Sequence, residues 1–236
     1  PYKDFDEKEK EYLRVLREKM VDGVIYMSPS LQEEILDIIN ELNVMTVLVE
    51  TKDKEESLPS VTIDNTKASK EATNYLLNKG LSKIAFVGAK KDTMNAWGDR
   101  YIGYKEALSN KGIAIDESLV YFGGLKVKGG YEAVESFEKA NKTYDAVVCA
   151  SDEIAMGVIN ALREKGKKVP EDVSVVGFND NIMSSVFYPK ITTIKQPSYD
   201  MGSVAMRMLI KLLNKRELDE SQFVLDYTLI ERDSCK

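Results

Sequence analysis

The sequence predicts an α/β protein built from doubly wound parallel sheets, and three observations carry that prediction. Short apolar runs rich in Val and Ile alternate with amphipathic helical stretches along the 236 residues. Several of these runs end in polar residues, at Ser28, Asp64, Ser151 and Asn179. In open α/β sheets ligands bind at the carboxyl ends of strands, so such endings matter. Finally, the tract from Val147 to Asp180, VVCASDEIAMGVINALREKGKKVPEDVSVVGFND, reads as strand, loop, helix, loop and strand in one continuous unit.

Each element has a local reason. Residues 7–20 read as a helix with Tyr12, Leu13, Leu16 and Met20 apolar, and Asp22-Gly23 turns into the strand Val24–Met27. Ser28-Pro29-Ser30 starts the helix Leu31–Leu42, Met45–Val49 is a strand, and a polar loop leads to the strand Ser60–Ile63. Asn65-Thr66 caps a helix carrying Ala72, Tyr75, Leu76 and Leu77, which ends at Gly80. A second series follows: strand Lys83–Val87, helix Gly98–Asn110, strand Val120–Phe122 and helix Val127–Ala140. After the strand Ala146–Ala150, Ser151 or Asp152 caps a helix whose apolar face is Ile154, Val158, Ala161 and Leu162. Gly166 stops it, Pro170 blocks its resumption, and Val173–Val176 is the next strand. Ile191–Lys195 is extended, Ser198 caps the last helix Tyr199–Asn214, and Phe223–Ile230 is a closing edge strand. Two halves with a hinge near Gly80–Lys83 fit this order, and a ligand cleft between them follows. A doubly wound half opens on a strand, whereas this chain opens on a helix, so a strand and its helix are expected before Pro1.

Composition narrows the function. Histidine is absent, which removes the commonest general base and neutral metal ligand. Neither a Gly-x-x-x-x-Gly-Lys-Ser/Thr loop nor a Gly-x-Ser-x-Gly elbow is present. These absences point away from an enzyme, and no cofactor or metal is expected. A net charge of −6 argues against the chain itself being a DNA-binding surface. No apolar run approaches the roughly 20 residues that cross a bilayer. The charged start, PYKDFDEKEKEY, is not a secretory signal, and Cys149 (a strand residue) and Cys235 (a frayed tail) lack metal spacing. The expected compartment is a reducing cytoplasm.

Several constellations have a bland reading and a functional one. Ser28 ends a core strand or stands at a cleft mouth. Asp64 and Asn65 form a turn and helix cap, or line the same cleft. Arg100, on the first turns of a helix, is a solvated charge, or a fork for a sugar hydroxyl pair, a carboxylate or a phosphate. On the last helix Met201, Ala205, Met208, Leu209 and Leu212 form the buried stripe, opposite Asp200, Ser203, Arg207, Lys211 and Asn214. That polar face is a solvated surface, or a site where Arg207 and Lys211 hold a partner's phosphate.

Seven segments, VDGVIYMS, SVTIDN, IAFVGA, RYIGY, SDEIAMGV, VPEDVSVVGFND and ITTIKQPSYDMGSVAM, occur in this order across nearly the whole chain. Together they resemble the regulatory core of the LacI/GalR family of bacterial transcription regulators. SVTIDN and YDMGSVAMRMLIKLLNKRE are most similar to the catabolite-control regulators of low-GC Gram-positive bacteria. The resemblance implies a periplasmic-binding-protein-like fold of two subdomains joined by three crossovers. Residues 1–80 and 191–218 would form one subdomain, and residues 81–190 and 219–236 the other. It also implies that a DNA-binding headpiece, a hinge helix and the core's first strand and helix belong before Pro1, and that the regulator is a homodimer reading palindromic operator DNA.

The resemblance places an effector site for a small sugar or sugar phosphate at Ser28, Asp64, Arg100, Leu125, Ser151 and Asn179. Asn179 stands where the family has Asp, and Leu125 where several sugar or purine binders carry an aromatic ring. These departures favour a protein corepressor, the phosphocarrier HPr phosphorylated on a serine. Its docking positions would be Asp200, Ser203, Val204, Arg207, Met208 and Lys211, with Arg207 meeting the phosphoserine. The alternatives are a family member answering a small sugar or nucleoside, and a sugar-binding transport protein of the same fold.

Overall fold

The computed structural model describes residues 10–13, 15–16, 19, 21–28, 31–89 and 95–236. Pro29 and Ser30, and most of the helix expected at 7–20, lie outside these residues, although 10–13 and 15–16 are helical. The chain divides into two compact units. The first comprises Pro1–Ile63, Met94–Ala96 and Pro197–Leu225, and the second Asp64–Thr93, Trp97–Gln196 and Asp226–Lys236. Residues 64–80 and 191–196 therefore fold with the second unit and 219–225 with the first, a different division from the one the resemblance implies.

In the first unit, β1 (Gly23–Met27), β2 (Met45–Val49), β3 (Ser60–Ile63) and β9 (Gln222–Leu225) form a parallel sheet in the order β1-β2-β3-β9. Successive strand side chains point to opposite faces. Val47 and Val49 accordingly join Val61 and the buried stripe of α7 (Ser198–Leu213), which includes Met201, Val204, Ala205, Met208 and Leu209. Leu48 and Tyr26 face the other way, onto Ile35 and Ile39 of α1 (Glu33–Leu42) and onto Leu13.

The second unit holds a six-stranded sheet, β10-β8-β7-β6-β4-β5. Its strands are β4 (Ile84–Gly88), β5 (Val120–Phe122), β6 (Ala146–Cys149), β7 (Ser174–Asn179), β8 (Thr192–Lys195) and β10 (Thr228–Ile230). All pairings are parallel except β10 with β8. Helices α2 (Asn65–Asn78), α3 (Ala96–Asn110), α4 (Val127–Lys139), α5 (Asp152–Glu164) and the short α6 (Ile182–Val186) complete it. The rings of Phe86, Tyr101, Tyr104 and Phe122 pack together where α3 meets β4 and β5. Tyr104 Oη, buried there, donates to Ile84 O at 2.7 Å. None of the described helices is long and apolar enough to cross a membrane.

Two expectations need correction. The closing strand Phe223–Ile230 is two strands in two sheets: β9 pairs with β3 in parallel, and β10 pairs with β8 antiparallel. Asp226 and Tyr227 interrupt it, and Tyr227 Oη donates to Glu71 Oε2 on α2 at 2.9 Å. Nor is the tail frayed. Ser234 Oγ donates to Val175 O at 2.6 Å and accepts from Thr192 N at 2.9 Å, and Cys235 is buried with its Sγ on Val175 O. Ser234 O also accepts from Val175 N at 2.8 Å, so the tail satisfies backbone groups at the starts of β7 and β8.

Candidate functional site

The carboxyl ends of β4, β6 and β7 bring their following segments together in the second unit, and Arg100 lies at the centre. It is 3% exposed, which rules out a solvated charge. Its Nε donates to Asn65 Oδ1 at 2.9 Å and its Nη1 to Ala150 O at 2.6 Å. The guanidinium carbon stands 3.7 Å from the centroid of the Phe178 ring, a cation–π stack. A planar fork between two neutral oxygens and an aromatic face has a fixed direction, and this rigidity suits bidentate recognition.

Backbone approach makes this arrangement possible. Gly103 lies one turn beyond Arg100 on α3, and a Cβ there would come within 2.1 Å of Thr66 O. Only a glycine lets α3 seat this closely against the start of α2, where Asn65 sits. Asp64, rather than Asn65, is the N-cap of α2, its Oδ1 accepting from Lys67 N at 2.8 Å.

The other expected effector residues are distributed as follows. Ser151 is the N-cap of α5, its Oγ accepting from Ile154 N at 3.2 Å, and it immediately follows the Ala150 carbonyl that holds Arg100. Asn179 follows Phe178, and its Oδ1 accepts from Gln196 Nε2 at 2.8 Å. Its φ of 107° and the φ of 57° at Asp180 put two successive residues in a left-handed backbone region that side-chain-bearing residues avoid. Leu125 is half-buried between β5 and α4. Ser28 belongs to the first unit, at the end of β1, with its N–H on Val49 O. Phe178, stacked on Arg100, and Gln196, bonded to Asn179, are residues of this arrangement that the sequence reading did not single out. Both lie inside the quoted segments VPEDVSVVGFND and ITTIKQPSYDMGSVAM.

Behind Asn179 lies a buried polar network. Asp152, the first residue of α5, accepts from Thr193 Oγ1 at 2.6 Å and from Asn181 N at 2.8 Å. Burial raises its carboxyl from 3.8 to about 6, against the pull of those two hydrogen bonds. Asp180 Oδ1 takes Arg232 Nη2 at 2.5 Å and Ser184 Oγ at 3.0 Å, while Arg232 Nη1 also reaches Ile191 O at 2.8 Å. The strained β7 end is thus held by the carboxy-terminal segment.

In the first unit, α7 shows a mixed outer face. Asp200 and Arg207 are exposed, and so are Tyr199, Met206 and Ile210. Ser203 Oγ donates back to Tyr199 O at 2.9 Å, and Lys211 Nζ pairs with Asp219 at 2.6 Å. Val204 and Met208, expected among the docking positions, belong to the core instead, at 7% and 6% exposure. Val204 follows Met201 by three residues and Met208 follows Val204 by four, so both fall on the helix's sheet-facing stripe.

Comparison with known proteins agrees with this architecture. The family described as periplasmic binding protein-like domain matches residues 73–235. The HTH-type transcriptional regulator RegA of Clostridium saccharobutylicum is 66% identical over 228 residues, covering 97% of this chain and 69% of that protein. Catabolite control protein A of Streptococcus mutans is 41% identical over 232 residues, covering 98% of this chain and 68% of that protein. The crystal structure of the transcription regulator CcpA of Lactococcus lactis matches with a TM-score of 0.90 at 36% identity, over 98% of this chain and 84% of that one.

Proposed function

Because the chain belongs to the LacI family of transcriptional regulators and carries its periplasmic-binding-protein-like core, we propose that it is the sensing part of a carbon catabolite regulator. In this reading, serine-phosphorylated HPr docks on α7 and raises the operator affinity of the parent protein. Similarity to catabolite control protein A supports it. The observation that carries it is the face around Arg207, an exposed cation with Ser203 one turn before it and exposed Ile210 one turn after. A phosphoserine beside an apolar helix face fits such a surface. HPr favours the DNA-competent state only by binding it better, so operator DNA raises the affinity for HPr by the same factor.

Calorimetric titration with serine-phosphorylated and unmodified HPr tests this, with Arg207→Glu as the control. Binding of the phosphorylated form alone, lost in the variant, is the expected result. Equal binding of both forms, or binding indifferent to Arg207→Glu, removes HPr from the account.

The buried Arg100 supports a second input, a small effector bearing a hydroxyl pair, carboxylate or phosphate. A thermal-shift series over sugars, nucleosides and sugar phosphates tests it. The stabilising compound is expected to lose its effect in Arg100→Lys, which keeps the charge and lacks the fork.

A further inference from the structure

The loop after α5 bounds a pocket of about 230 Å³ on the second unit, with Ile159 and Pro189 as apolar lining and Arg163, Lys167 and Lys168 as cationic lining. Glu171 is its one carboxylate. We propose that this pocket binds a small phosphate-bearing anion, at a place separate from both Arg100 and α7. A cation-lined concavity runs against the background of a chain with net charge −6.

Cations near a helix C-terminus often do no more than complement its dipole. On α5 the last-turn cation is Arg163, while Lys165, the C-cap, is paired with Glu138 at 2.7 Å. Lys167 and Lys168 lie beyond the cap, past Gly166, whose φ of 75° reverses the chain. Ion pairs among the described residues use neither of them, nor Arg163. Arg163 is oriented instead by Tyr188 O, which accepts from its Nη2. A guanidinium held by one nitrogen keeps its remaining N–H donors for an anion. Lys167 Nζ lies 5.6 Å from the centroid of the Tyr144 ring, which directs its stem. Two ammonium groups and one oriented guanidinium lining the same pocket are the donors a phosphate takes, and the apolar lining accommodates the body of the molecule that bears it.

Pyrophosphate is the probe, titrated into the whole chain at constant ionic strength and followed by amide NMR shifts. The expected shifts map to residues 163–171 and 187–190. Affinity should fall about tenfold or more in Lys167→Gln/Lys168→Gln and in Arg163→Gln, as the loss of a charge-assisted contact predicts. These side chains are on the surface, so unchanged melting curves will show that the variants are folded. Arg100→Lys should bind like the parent chain. Absence of binding at millimolar pyrophosphate, binding unaltered in the pocket variants, or loss in Arg100→Lys would each overturn the assignment, the last by moving the anion to the Arg100 site.

Discussion

Arg100 and Arg207 are both arginines on helices, and they occupy opposite physical situations. Arg100 is buried, with its direction set by Asn65, Ala150 and Phe178. Arg207 is exposed on α7. The first has been desolvated already, so folding has met the cost of orienting it, and a ligand bound there would meet a prepared fork. The second remains hydrated, and a partner must supply both the desolvation and the ordering. Mutations near Arg100 should therefore affect folding and binding together, whereas mutations around Arg207 should affect binding alone.

Gly103→Val tests the first half of that contrast most severely. The new side chain meets the Thr66 backbone, which cannot rotate away, so α3 must leave α2. We expect a loss of about 4 kcal/mol in urea unfolding, together with loss of any effector response. A variant that kept its stability would show that α2 and α3 are not locked together. Arg100→Met comes next. It orphans Asn65 Oδ1 and Ala150 O but also removes a buried charge, and these opposing effects leave a net loss of about 2 kcal/mol.

This buried site was only half legible in the sequence. The strands and their polar ends were visible because apolar runs of four to six residues, closed by Ser, Asp or Asn, have few other interpretations. Arg100 stood out as a charge on an otherwise core-facing helix start. Its partners did not, because Asn65 reads equally well as a cap and Phe178 as a core ring. Which role wins depends on the approach of Gly103 to Thr66, a contact between two helices that are distant in sequence. The split of Phe223–Ile230 was hidden for a similar reason: one short apolar run serves two sheets, and only strand pairing distinguishes β9 from β10. On α7 the buried stripe was clear through Met208, but its edge at Val204 was not, since a helical face has no sharp boundary in periodicity alone.

A smaller effect distinguishes the two regions by pH. Asp152 has its folded-state carboxyl raised from 3.8 to about 6. The folded protein therefore binds this proton more tightly than the unfolded chain does. The resulting stabilisation is full below about pH 4 and is lost as pH rises through about 6. Asp152→Asn keeps an acceptor for Asn181 N and removes the charge. Its stability should vary less between pH 4 and 8, with a gain of about 1 kcal/mol at pH 8, measured by urea unfolding at both values. A steeper dependence in the variant would mean that the Asp180–Arg232 pair, and not Asp152, governs this part of the sheet.

Arg207→Glu should perturb the fold least and is the most informative about α7. An exposed side chain away from caps and core contributes little to stability, so the melting midpoint should stay within about 1 °C of the parent value. If serine-phosphorylated HPr meets this face, the same substitution puts a carboxylate against a phosphate, and binding should disappear while the fold is untouched. Lys211→Ala grades the result. Lys211 is already engaged by Asp219, so its removal should weaken HPr binding far less than Arg207→Glu does. If Lys211→Ala proved the more damaging, the phosphate would have to displace Asp219, and the docking centre would shift one turn toward the end of α7.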